Sequence, residues 1–114
     1  GHNKVDPRMT AEPVKVSLQF VTYWLAHPSE VKRGHGPGTV YLWVDPRILD
    51  RKFYADESTK EHPNVWTAVD NCGGEFFTEE FSSEADAVAW LTDPLGRTGD
   101  DWKADRARTV RARV

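Results

Sequence analysis

The sequence predicts an α+β domain: an antiparallel sheet of four to five strands, one helix packed on one face, and a charged C-terminal segment able to form a further helix. Three observations lead there. Apolar and polar residues alternate with period two in several short runs, the pattern of half-buried strands. Residues 83–91 instead carry a helix cap and helical spacing. The 114 residues suit one core, since two would each be too small to hold one.

Val14, Val16, Leu18 and Phe20 fall on one side of an extended chain, with Lys15, Ser17 and Gln19 on the other. Residues 14–25 are therefore expected to form the first strand. From Val21 both sides turn apolar through Tyr23, Trp24 and Leu25, which implies burial on two faces or a bulge. Residues 27–38 hold three glycines and two prolines and read as a loop. A second strand is expected at 39–45, with Val40, Leu42 and Val44 opposite Tyr41 and Trp43, ended by Pro46. Ile48, Leu49, Phe53 and Tyr54 then suggest a helical turn and a short strand at 52–55, followed by a polar loop.

Residues 65–70 and 75–81 are the next two strands. Asn71-Cys72-Gly73-Gly74 joins them, and such residues accept the positive φ that tight hairpins need. Ser83 caps a helix over 84–92, with Asp86 in the capping-box position and Pro94 just beyond its end. On the helical wheel Ala85, Val88, Ala89 and Leu91 share the core side, and Trp90 points away from it. Residues 100–114 can form a helix entered at Asp100, although their apolar residues make no stripe.

Residues 1–8 lack apolar periodicity and precede the sole methionine, Met9. They are expected to be an expression-tag remnant, leaving 9–114 as a single domain with 103–114 as a flexible basic tail. Fifteen basic against eighteen acidic residues give a net charge of −3, which excludes a polycation that wraps nucleic acid over its whole surface. One cysteine excludes an internal disulfide framework and a multi-cysteine zinc site. With no long apolar run and no leader pattern, a cytoplasmic protein without membrane contact is expected.

Charge is unevenly spread. Residues 70–101 carry a net of −8 and residues 102–114 a net of +4. Aromatic residues are unevenly spread too. In the expected sheet, aliphatic residues gather on one face and Tyr23, Tyr41, Trp43 and Trp66 on the other. One short helix can cover one face only. The aromatic face is then closed either by the chain's own 46–56 segment or by a partner, since Tyr and Trp are favoured at interfaces.

Candidate chemistry is sparse. Cys72 at a hairpin tip lacks a neighbouring base identifiable from spacing, and an inert turn residue is the plainer explanation. His27, His35, His62 and Cys72 fit no metal-ligand spacing. Glu79 and Glu80 offer carboxylates without a second one placed across a cleft. Residues 33–38 are glycine-rich but lack the Gly-Lys-Ser/Thr ending of a phosphate loop. No catalytic residue, metal or cofactor is expected. The expected function is a non-enzymatic binding or regulatory protein that contacts a protein partner, or a second copy as a homodimer, through Tyr23, Tyr41, Trp43, Trp66 and Trp90, with Glu79 and Glu80 orienting the partner. The alternative is nucleic-acid contact through Lys103, Arg106, Arg108, Arg111 and Arg113. Those arginines do not share one helical stripe, so folding back onto the acidic hairpin–helix unit competes with that alternative.

Overall fold

The computed structural model describes residues 11–27, 45–72 and 76–112, the last four by their backbone alone. Residues 1–8, the 28–38 part of the expected loop, the expected strand over 39–44 and the hairpin glycines lie outside the described residues.

The chain leaves the extended conformation earlier than its alternation implies. β1 (Pro13–Lys15) ends before Ser17, and α1 (Leu18–Ala26) follows, correcting the strand expected over 14–25. Ser17 caps the helix, its hydroxyl accepting from the Phe20 N–H at 3.2 Å, a contact worth about 1 kcal/mol. Phe20, Val21 and Trp24 have the spacing of one helical face, and Val21 and Trp24 are fully buried. Leu18, expected to point into the core from a strand, is exposed with Leu25 on the outside of α1. The same apolar residues satisfy both periods over this stretch, and the capped helix gives the tryptophan its burial.

A turn over 46–50 then leads into β2 (Lys52–Asp56), the strand expected at 52–55. β3 (Trp66–Asp70) and β4 (Phe77–Phe81) follow, then α2 (Glu84–Leu91) and α3 (Gly99–Ala112). The sheet order is β1-β2-β3-β4. β2, β3 and β4 are antiparallel, but β1 runs parallel to β2, so the sheet is mixed and not purely antiparallel. A parallel pair requires a long crossover, and the stretch containing α1 supplies it.

Register decides which face each side chain meets. The pairs Phe53–Val69 and Ala55–Thr67 point to one side. There Phe53, Ala55 and Val69 pack with Val21, Trp24 and Ile48, and the Phe20 ring stands edge-on to Phe53 at 5.4 Å. The pairs Tyr54–Ala68 and Trp66–Phe81 point to the other side. There Ala68 and Phe81 pack with Ala87, Trp90 and Leu91 of α2 and Trp102 of α3. Each face thus has a helix of its own, where a helix on one face only was expected.

α2 is rotated relative to its wheel reading. Ala87, Trp90 and Leu91, spaced i, i+3 and i+4, are buried, while Ala85 is exposed. Alanines fit on either side of a helix. The tryptophan does not, because its burial removes the largest apolar area from water.

Candidate functional site

At one end of the sheet, Lys52, Asp70 and Phe77 are cross-strand neighbours on the face that α2 covers, and Glu79 lies on the same face one step along β4. Trp90 and Leu91 from the last turn of α2 form a wall, and residues 93–100 arch over them. Together they enclose a cleft of about 530 Å³, within the size range of ligand and side-chain pockets. Two large apolar side chains stand exposed at it: Phe77 at 48% and Leu95 at 72%.

The arch is tied down by one carboxylate. Asp93 is buried at 9% exposure. Its Oδ1 accepts from the Leu95 N–H at 3.2 Å, and its Oδ2 from the Arg97 N–H at 3.1 Å and Nε at 3.0 Å. Burial pushes this carboxyl up, but the Arg97 guanidinium and the Arg97 and Leu95 N–H groups together outweigh it and hold the group below its ordinary value. Arg97 also donates to Asp105 at 2.8 Å, and its carbonyl accepts from the Trp90 indole N–H at 3.0 Å. Gly96 closes the turn at φ 59°, a left-handed conformation that suits glycine. Asp93-Pro94-Leu95-Gly96 is therefore a tight turn, bonded from Gly96 N–H to the Asp93 carbonyl, with a leucine held at its tip.

α3 is locked to the cleft through Glu79. A Cβ on Gly99 would sit 1.9 Å from the Glu79 Oε2, so a side chain there would displace the carboxylate. The other oxygen accepts from Lys103 Nζ at 2.7 Å. Thr98 caps α3, accepting from the Asp101 N–H at 3.2 Å.

The floor is chemically quiet. Lys52 is 4% exposed, and Cys72 is buried beside it. Burial, reinforced by the Asp70 carboxylate, pushes the Cys72 thiol up to about 12. It stays protonated near neutral pH and is a poor nucleophile. The described histidines, His27 and His62, do not line the cleft. Among the described residues no group of three His, Cys, Asp or Glu side chains is placed to hold a metal ion. Among the described residues the lining combines apolar side chains with carboxylates, an arrangement that can hold a ligand.

The expected site residues are scattered. Tyr23 lies on the outer side of α1, stacked on His27 at 4.2 Å. Trp66 is half-buried on the opposite face of the sheet, 6.2 Å from Tyr54 and beneath the Lys15 ammonium at 5.2 Å. Trp90 is buried against Phe81 at 5.7 Å. Tyr41 and Trp43 lie outside the described residues. The described aromatics therefore do not form one patch. Glu79 lines the cleft, whereas Glu80, next to it in the strand, points to the other face.

The basic residues fold back. Lys103 meets Glu79 and lies over the Phe81 ring at 4.9 Å, Arg106 approaches Asp86 at 3.5 Å, and Arg108 reaches Asp105 at 3.4 Å. Arg111 is described by its backbone alone, and Arg113 lies outside the described residues. A second hollow of about 550 Å³ lies between Asn64, Phe81, Trp102 and Arg106, and it is more open than the first.

Leu95, Phe77 and Asp100 belong to the cleft without having been singled out by any motif. A leucine inside a turn-forming Asp-Pro-Leu-Gly, and two adjacent phenylalanines that a strand must send to opposite faces, are the signals that could have found the first two. No described helix is long and apolar enough to cross a membrane. Comparison with protein families, with curated proteins and with solved structures found no match.

Proposed function

We propose that the protein is a non-enzymatic binding domain that engages a protein partner through the cleft between β4 and the α2–α3 connection. The observation that carries this reading is a preformed hollow with Phe77 and Leu95 left in water at it, above a floor without a reactive group. A turn cross-linked by Asp93 and Arg97 holds Leu95 in place before any partner arrives, which lowers the entropy lost on binding. Glu79 enters this reading as a cleft wall paired with Lys103, and not as a member of a sheet-face patch. Tyr23 and Trp66, on opposite faces, support no single docking surface.

Nucleic-acid contact draws less support, because Lys103, Arg106 and Arg108 already face carboxylates of the chain. The test is a selection of displayed protein fragments on the whole chain, with Leu95→Asp as the counter-target. Fragments retained by the parent and lost on the variant support the reading. Fragments that bind both equally overturn it. Circular dichroism should show the variant folded, since Leu95 makes little contact with the core.

A further inference from the structure

Resting on that reading, we infer that the cleft accepts a basic, extended segment: a bulky apolar side chain seated between Phe77 and Leu95, with a lysine or arginine beside it. The apolar half follows from the lining, where Phe77, Trp90, Leu91 and Leu95 converge. The basic half follows from which charges are already used. Asp93 is held by Arg97, Glu79 by Lys103, and Arg97 is shared between Asp93 and Asp105. The carboxylate left at the lip is Asp100, exposed and without an ion-pair partner among the described residues, with exposed Asp101 next to it. Asp70 on the floor stands opposite Lys52 in the strand register and its Oδ1 already accepts from the Cys72 N–H at 2.9 Å, so Asp100 and Asp101 carry the charge that the inference uses.

The shape favours an extended segment. β4 is the end strand of the described sheet, so a chain laid along it can use its outer main chain. Such a segment meets carboxylates on both faces of the strand, Glu80 on one and the cleft acids on the other. A second copy of this chain, with its net charge of −3, is a poor electrostatic match for the same surface. Nucleic acid is a worse one.

The experiment is selection of a displayed library of random short peptides on the full chain, followed by affinity measurements on the retained peptides. Retained sequences should join Leu, Ile, Phe or Trp to a nearby Lys or Arg. Leu95→Asp should weaken them at least about tenfold, as loss of an interface anchor does. Asp100→Asn should weaken them about two- to fivefold, the worth of one exposed ion pair, and near-molar salt should act similarly. If binding depends on Leu95 but retained peptides lack basic residues and ignore Asp100→Asn and salt, this inference fails while the cleft stands. If basic peptides bind Leu95→Asp as well as the parent, the cleft itself is wrong and both readings fall. If no peptide is retained and the chain doubles its solution mass unless Leu95 is changed, the occupant is a second copy and this inference is overturned.

Discussion

The two faces of the sheet are held by different physics. On the α1 side, Val21, Trp24, Ile48, Phe53 and Val69 close an apolar cluster, with the buried Asn71 amide donating to the Ile48 carbonyl and Arg47, paired to Asp45, lying over the Trp24 ring. On the other side α3 brings one buried tryptophan, Trp102, and otherwise attaches through charges: Lys103 to Glu79, Arg106 to Asp86, and Asp105 to Arg97. Apolar burial tolerates salt and acid, whereas exposed ion pairs do not. The candidate cleft lies on the charged side, beside the more easily loosened helix.

The largest expected effect comes from the apolar side. Trp24→Ala should cost about 3–5 kcal/mol and lower the single thermal transition of the domain. A small loss would mean that α1 is not part of the main core. On the charged side, Arg97→Ala should destabilise the domain measurably but less than Trp24→Ala, because it leaves the buried Asp93 carboxylate short of its donors. Amide exchange should rise in residues 93–105 and stay slow in α1. Equal loosening of both would show that the two sides are not separable.

Acid should separate them further. Asp93 and Asp105 titrate below the ordinary 3.8 in the folded chain, Asp105 chiefly through its bond from Arg97. As pH falls, the unfolded chain takes up protons first. Their stabilisation is therefore complete above about pH 4 and is lost as pH drops through the folded values. On the α1 side Asp45 is also lowered, chiefly by Arg47, but that pair spans two residues and its loss frees a turn, not a helix. Protection factors, corrected for the fall of intrinsic exchange with acid and followed from pH 5 downward, should drop in α3 before α1.

A finer probe is Gly99→Ala, expected to cost about 1 kcal/mol by displacing the Glu79 carboxylate from Lys103. In a Glu79→Ala background the same change should become neutral or slightly stabilising, since the collision is gone and glycine's extra freedom in the unfolded chain is removed. An unchanged cost in both backgrounds would show that the glycine answers to something other than Glu79. Smallest of all, near-molar salt should weaken α3 by a few tenths of a kcal/mol per exposed pair, read from its exchange rates.

Elements with local signals were legible. Ser83 and the helix it caps, β3 and β4 inside the expected 65–70 and 75–81 strands, and the strand near 52–55 all appear, because caps and alternation act within a few residues. α1 was hidden because Phe20, Val21 and Trp24 satisfy two periodicities at once, and only Ser17 marks the switch. The parallel pairing of β1 is a contact between distant residues, which no window along the chain can display. Trp90 was read outward because two alanines, a valine and a leucine outvoted it, although volume and not number decides which side of a helix is buried. The cleft arises where a strand row, a helix end and a turn meet. Leu95 and Phe77 become informative only when their exposure is known.

The parallel pairing of residues 13–15 with 52–54 also sets an order of assembly. β2, β3, β4 and α2 follow one another along the chain and can zip together over short spans, while β1 must close a much longer loop. Its partner edge exists only once that C-terminal unit has formed. In refolding, α1 and β1 should gain protection after the other strands, making the beginning of this chain the last part to find its place.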